Sequence, residues 1–449
     1  MNLLNKWQSR KFYSSAALLY ILFFVLLMMT QRNKLPDVPV VLMQLAGAGM
    51  IVFFSLLYDK HSFSKTLVII VAFQLACFFG LRFFNIEFFE NPLGYDPQDA
   101  LSYHQRGSHI EMSLLRFIRY LNDNSVNLDD FGFNIIVHTA YSLTGNPETG
   151  MQLLVLFNVI AVSVSSYFVY KLSSMFFEKG HSIFVTFFWA TELYAVYTAS
   201  VGLKENFMVM FIVIAIYYII KVHNNLLAKD IILAVLFSLP ILLFRTAVFY
   251  MLICTLLYII GLKLPLVKRY IYFFIAIIMV FAIIYGYQTI DELALSQGYS
   301  YDVLQDFADK KVRDNGTMTY LLNYFAAVFG PFPNLVAEEL IKKNYITLYS
   351  FSSFCKVFYS FFMVYGIFRA FRNKHFEMMG IALFWFLNTF MLLFTLFAQH
   401  DRYQWPHMPF TIVLACYGFI CWQENTHMLK WDKLYMLFAI LMILVFNYR

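Results

Sequence analysis

Long apolar runs separated by short polar turns set the pattern of this chain. Runs of about 17–25 residues, each able to cross a hydrocarbon core of roughly 30 Å as a helix, fall near residues 15–30, 38–57, 66–84, 151–171, 182–201, 205–221, 270–287, 346–369, 378–397, 407–423 and 434–447. A further apolar stretch, 230–262, is too long for one helix and contains Pro240 and Arg245. Proline removes a backbone donor and an arginine in hydrocarbon is costly. The stretch is therefore predicted to form two short helices that meet near Arg245, dip into the membrane and return.

Two long intervals, 85–150 and 288–345, interrupt the run of spans. The first carries helical periodicity: Ile110, Leu114, Phe117, Ile118 and Leu121 alternate with Glu111, Arg116 and Arg119 over 109–121, the pattern of a helix lying in the membrane interface. A second amphipathic segment runs from Phe133 to Leu143, with Asp129 and Asp130 ahead of it as expected N-terminal caps. The second interval begins polar, turns apolar through Tyr320 to Phe332, and ends on Gly330-Pro331-Phe332-Pro333, a helix-breaking sequence.

Composition agrees with the pattern. The 449 residues are 61% hydrophobic, 20% aromatic and 13% charged, far from the soluble average of about 45–50% apolar and about 25% charged. A closed strand barrel would show short alternating segments instead. The expectation is an all-α polytopic bundle of about 11–13 spans.

The formal net charge of +6 is modest and calls for no nucleic-acid partner. Its distribution is more informative. With the N-terminus cytoplasmic, Lys6/Arg10/Lys11, Lys60/Lys65, Lys171/Lys179, Lys221/Lys229, Lys263/Lys268/Arg269, Arg369/Arg372/Lys374 and Lys430/Lys433 share one side, and both long intervals lie on the other. Arg32/Lys34 is the exception. The prediction is a multi-pass cytoplasmic-membrane protein with a retained first helix and both long loops external. Cys77, Cys254, Cys355, Cys416 and Cys421 all lie within apolar runs without metal-ligand spacing, as packing residues do.

Candidate chemistry gathers after the third span, in Gly94-Tyr95-Asp96-Pro97-Gln98-Asp99-Ala100-Leu101-Ser102-Tyr103-His104-Gln105-Arg106. Here carboxylates, ring hydroxyls, a histidine and an arginine are crowded into an otherwise apolar chain. Together with Asp130-Phe131-Gly132-Phe133, Phe157-Asn158 and Asp401-Arg402-Tyr403 ahead of Pro406 and Pro409, this order resembles the integral-membrane glycosyltransferases of the GT-C superfamily. The similarity is to the bacterial branch related to the protein O-mannosyltransferase and lipid A aminoarabinose transferase families. It covers roughly 66–262 as a core module including loop 85–150, with 1–65 as two added N-terminal helices and 263–449 as C-terminal helices carrying loop 288–345.

The resemblance implies transfer of a sugar from a polyprenyl-phosphate donor to a glycan or lipid acceptor at the external face, in cell-envelope or surface-polysaccharide synthesis. It makes Asp99 the expected general base, since transfer from a phosphate leaving group needs a carboxylate to take the acceptor's proton. Asp96 can share a divalent cation, magnesium or manganese, with Asp99. Tyr103 and His104 follow about one helical turn later and can line the same pocket. Lys204 is expected at the donor phosphate with Glu205 beside it, and Arg402 with His400 is carried over as facing the lipid phosphate. Arg245 needs an anionic partner, either a phosphate or a buried acid such as Glu192. Two other functions remain open. A repeat-unit polymerase or ligase would lean on the arginines and the second long loop. A lipid-linked oligosaccharide flippase would need polar residues through the midplane, where Arg245, Glu192 and Lys356 stand out.

Overall fold

A computed structural model of the chain describes residues 63–93, 98–263, 318–333, 346–395, 401–424 and 431–447. Among the described residues every regular element is helical. In chain order they are α1 (Phe63–Phe89), α2 (Gln98–Gly107), α3 (Leu114–Asp123), α4 (Leu128–Thr144), α5 (Pro147–Ser173), α6 (Lys179–Ala190), α7 (Leu193–Val201), α8 (Glu205–Asn225) and α9 (Ala228–Ser238). A short 3-10 turn (Leu239–Leu243) and α10 (Thr246–Lys263) follow, then α11 (Met318–Phe329), α12 (Ile346–Arg372) and α13 (Phe376–Thr395). The last described elements are α14 (Asp401–Gln404), a 3-10 turn (Trp405–His407), α15 (Met408–Gln423) and α16 (Trp431–Asn447).

Among the described residues six helices are long and apolar enough to cross a membrane: Thr66–Glu87, Pro147–Ser173, Glu205–Asn225, Thr246–Lys263, Ser352–Arg372 and Phe376–Leu393. The described residues thus form an all-helical structure whose apolar helices have the signature of a membrane protein. The expected spans at 15–30, 38–57 and 270–287 lie outside the described residues.

Several expectations are corrected. The run 182–201 is two helices, α6 and α7, broken at Thr191 and Glu192; Glu192 is 5% exposed and its carboxylate accepts the Ser352 hydroxyl of α12. The interface helix predicted over 109–121 starts only at Leu114, because 109–112 are turns closed by Met112 N–H to His109 O (3.1 Å). The stretch 230–262 does break beside Arg245, where the Phe244 and Arg245 N–H groups both turn back to Ile241 O. Its second half, however, is the full 18-residue α10, long enough to cross rather than dip.

The core forms around α8, which packs on α5, α9, α10 and α13. Met208, Val209, Ile212, Val213, Ile216, Ile219 and Ile220 are all fully buried and share one face of α8, the apolar stripe that a helix turns toward the core. The α12 and α15 pair approaches most closely at Gly366 and Gly418. A Cβ on Gly418 would lie 1.8 Å from the Phe362 carbonyl oxygen, and one on Gly366 would lie 2.3 Å from that of Leu414. Small residues let membrane helices meet backbone to backbone.

Local signals set the short helices of the first long interval. Asn127 caps α4 by accepting the Asp129 N–H at 3.0 Å, and Gly145 ends that helix with φ 64°. Asn146 caps α5 at the Glu148 N–H (2.8 Å), with Pro147 in the first turn. Asp129 and Asp130 are therefore not caps; they occupy the first turn of α4 and are free to bond elsewhere. Gly107 of α2 lies so close to α4 that a Cβ would meet Val137 Cγ1 at 2.4 Å. This contact lays α2 along α4, at the end of the bundle where α8 and α10 begin.

Candidate active site

Four separate pieces of chain converge at this end: α2, the first turn of α4, the start of α8 and α14. Arg402 of α14 joins two of them, its Nη1 donating to Asp99 Oδ2 and its Nε to Glu205 Oε1. The Glu205 side chain is fully buried and Asp99 is 52% exposed. One guanidinium thus ties a solvent-facing loop carboxylate to a buried one in the first turn of α8. Burial opposes the Arg402 charge, and the Glu205 carboxylate with Tyr103, Tyr194 and Asp99 overcomes it, holding the group above the ordinary arginine range.

Beside this bridge, Lys204 donates to Asp130 Oδ1 (2.6 Å) and to the Asp129 carbonyl oxygen (2.7 Å). Tyr103 donates its hydroxyl to the same Asp130 oxygen at 2.7 Å and sets its ring edge against Phe133. Burial pushes the Asp130 carboxyl up, but the Lys204 charge and hydrogen bond, with Tyr103 and Arg402, outweigh it and keep the group below its usual range. Tyr103 is raised by its own burial and then by Asp130.

Asp129 acts at a different helix. Its Oδ1 accepts the Thr246 N–H (2.8 Å) and the Thr246 hydroxyl (2.6 Å), placing a carboxylate at the N-terminus of α10, where backbone donors are unsatisfied and negative charge is favoured. The break before α10 is thereby stabilised from α4. Arg245, next to that break, lies with its guanidinium 4.7 Å above the Tyr403 ring. This is a cation–π contact in place of the ion pair with Glu192 weighed from the sequence.

His104, one turn along α2 from Asp99, bonds through Nδ1 to the Tyr141 hydroxyl at 2.8 Å. Burial and the nearby Arg82 charge hold its pKa below the ordinary histidine range, so the ring is neutral at pH 7. Together Arg82, Tyr103, His104, Tyr141, Ser200 and Leu154 line a narrow cleft with room for about one water.

The structure therefore brings together Asp99, Tyr103, Lys204, Glu205, Arg245 and Arg402, residues that span 303 positions of sequence between Asp99 and Arg402. His104 stands at the adjoining cleft. Asp96 and His400 lie outside the described residues. Asn158, from the Phe157-Asn158 pair, is buried and accepts from Asn206 at 3.1 Å, a bond between α5 and α8 below the site. Among the described residues no group of three or more His, Cys, Asp or Glu side chains is arranged to hold a metal ion.

Three residues of this region were not identified from the sequence as site residues. Asp130 stands out in the sequence only as a cap candidate and within Asp130-Phe131-Gly132-Phe133, and Thr246 carries no local signal, because the role of each is defined by a partner far along the chain. Arg82 did carry one: it stands in an apolar run, and the insertion-cost argument made for Arg245 applies to it equally.

No protein-family model, no curated protein and no solved structure matches this chain.

Proposed function

We propose that this protein is a membrane glycosyltransferase of the GT-C type, which moves a sugar from a polyprenyl-phosphate carrier to a hydroxyl acceptor at the external face of the cytoplasmic membrane. The observation that carries the reading is the Arg402 bridge. An exposed carboxylate on a loop helix is held by a cation that is itself anchored to a buried glutamate, beside two further hydrogen-bonded acids.

In this reading the donor phosphate takes the place of Asp99 on Arg402, since planar guanidinium binds either anion through the same fork. Asp99 is then released as a base next to the bound donor. The acceptor oxygen attacks the anomeric carbon and its proton passes to Asp99. The bond from that carbon to the phosphate oxygen breaks, and the carrier phosphate leaves with the electron pair against Arg402. Lys204 and Asp130, which satisfy one another and Tyr103, hold α4 and α8 in register rather than contacting the phosphate directly. Asp96 and a divalent cation enter only as an addition at the Asp99 carboxylate.

A second reading, transport of a lipid-linked saccharide, draws on the interior polar chain in which Lys356 donates to Gln404, Gln404 to the Ala326 carbonyl (2.8 Å), and His407 Nδ1 bonds Asn388 at 3.1 Å. Product analysis separates the readings. Purified protein in nanodiscs is given a panel of polyprenyl-phosphate sugars and candidate acceptors, and the products are sized by mass spectrometry. A single added sugar supports the transferase, a ladder of repeats indicates a polymerase, and an unaltered donor that crosses the bilayer indicates a transporter.

A further inference from the structure

Arg82 lies in the last two turns of α1 and is 4% exposed. Among the described residues no carboxylate pairs with it, and its buried Nε has no hydrogen-bond partner. A guanidinium keeps its proton at any ordinary pH, and an arginine placed in an apolar span costs at least about 2.5–3.5 kcal/mol on insertion scales. Other buried cations in the described chain have polar partners at hand: Lys204 has Asp130 and Lys356 has Gln404. Arg82 is the exception, and its guanidinium forms one wall of the cleft that Tyr103, His104, Tyr141 and Ser200 complete.

Arg82 and His104 are the cleft side chains with hydrogen to offer an oxygen anion, and the hydroxyls are not. Tyr103 and Ser200 have committed their hydroxyl protons to Asp130 and to the Tyr197 carbonyl. His104 faces Tyr141 through Nδ1; in the tautomer that accepts the Tyr141 proton there, Nε2 carries hydrogen and is a second donor beside Arg82. Among the described residues no acidic side chain lines the cleft. The void is the size of one water, which matches one phosphoryl oxygen and not a whole phosphate group.

We propose that Arg82 and His104 form an oxyanion subsite that takes one phosphoryl oxygen of a lipid-linked phosphate, at the foot of the Asp99 and Arg402 site. For the identity of the anion the inference rests on the transferase reading, while the arginine, unpaired with any described carboxylate, and its cleft stand apart from it. Arg402 then holds the phosphate from the solvent side and Arg82 from the membrane side, so the carrier is gripped where its chain enters the bilayer.

The test uses the full-length protein in zwitterionic nanodiscs. In one arm radiolabelled inorganic phosphate is titrated. In the other, polyprenyl phosphate is doped into the nanodisc, and both binding and the thermal midpoint are followed. Arg82→Met and Arg82→Lys are compared with wild type and with Arg119→Gln, an exposed arginine of α3. Polyprenyl phosphate is expected to bind wild type and Arg119→Gln alike, Arg82→Met at least tenfold more weakly, and Arg82→Lys in between. Without ligand Arg82→Met should be no less stable than wild type, because among the described residues the arginine has no carboxylate partner to lose.

Equal binding by wild type and Arg82→Met overturns the subsite, as does loss of ligand-free stability in both Arg82 variants. Binding of inorganic phosphate alone through Arg82 removes the lipid from the proposal. The two readings also fail separately: polyprenyl phosphate held through Arg82 by a protein that transfers no sugar leaves the subsite standing and removes the transferase, whereas transfer by Arg82→Met at the wild-type KM does the reverse.

Discussion

Replacing Lys204 by methionine strands Asp130. Lys204 is 6% exposed and makes its charge-assisted bond at 2.6 Å, while Asp130 is 28% exposed. Removing one partner of a buried ion pair costs about 3–5 kcal/mol, chiefly because the other charge stays behind uncompensated. Water reaches a quarter of Asp130 and Tyr103 still donates to it, so Lys204→Met is expected near the low end, about 3 kcal/mol, or about two orders of magnitude in the unfolding equilibrium. The double variant Lys204→Met/Asp130→Asn removes the stranded charge and should recover at least half of that loss. Chemical unfolding in detergent, followed by tryptophan fluorescence, reads these differences. The pH dependence has a definite sign. The folded Asp130 pKa lies below its unfolded value, which is about 3.9, so its contribution to stability is complete above about pH 4 and is lost as the pH falls through the folded value. The gap between wild type and Lys204→Met should therefore close on acidification below about pH 4. A cost under about 1 kcal/mol, or a gap that stays constant down to pH 3, would refute the reasoning that the pair is a buried, coupled unit.

The Arg402 bridge predicts an asymmetry. Arg402→Gln leaves the fully buried Glu205 unpaired and should cost about 3–5 kcal/mol, whereas Asp99→Asn frees a half-exposed acid and should cost no more than about 1 kcal/mol; equal costs in unfolding experiments would contradict the geometry. Thr246→Val removes the hydroxyl bond to Asp129 but keeps the backbone one, for an expected loss of about 1–2 kcal/mol, and wild-type stability would show that the α10 start does not depend on α4. Gly418→Val places side-chain atoms on the Phe362 carbonyl and should cost more than about 2 kcal/mol or prevent stable insertion, as thermal unfolding and protease resistance would report.

Much of the bundle is legible in the sequence because its physics is local. The spans at 66–84, 151–171, 205–221, 346–369 and 378–397 follow from length and apolar content alone, and the break near Arg245 follows from one charge and one proline. What is not legible depends on distant partners. Glu192 interrupts 182–201 while its carboxylate meets Ser352, 160 positions away. Asp129 and Asp130 look like caps because acids precede an amphipathic run, yet Asn127 takes that role and leaves them to Thr246 and Lys204. For the candidate site, Asp99, Lys204, Glu205 and Arg402 can each be picked out as charges at the edges of apolar runs. Their pairing cannot, because a guanidinium offers the same fork to a phosphate and to a carboxylate. Arg82 carries the same signal as Arg245, a cation in an apolar run, but that no described carboxylate pairs with it is visible only when burial and hydrogen bonding are known together.

The most direct test of the central claim is release of sugar label from a radiolabelled polyprenyl-phosphate donor by purified protein in nanodiscs, with wild type and Asp99→Asn measured side by side. Wild type is expected to transfer label to the acceptor, and Asp99→Asn, folded and with an unfolding midpoint close to wild type, is expected to lose transfer by at least about a hundredfold. Transfer by Asp99→Asn at the wild-type rate would contradict the assignment of the base and with it the account of this end of the bundle as an active site.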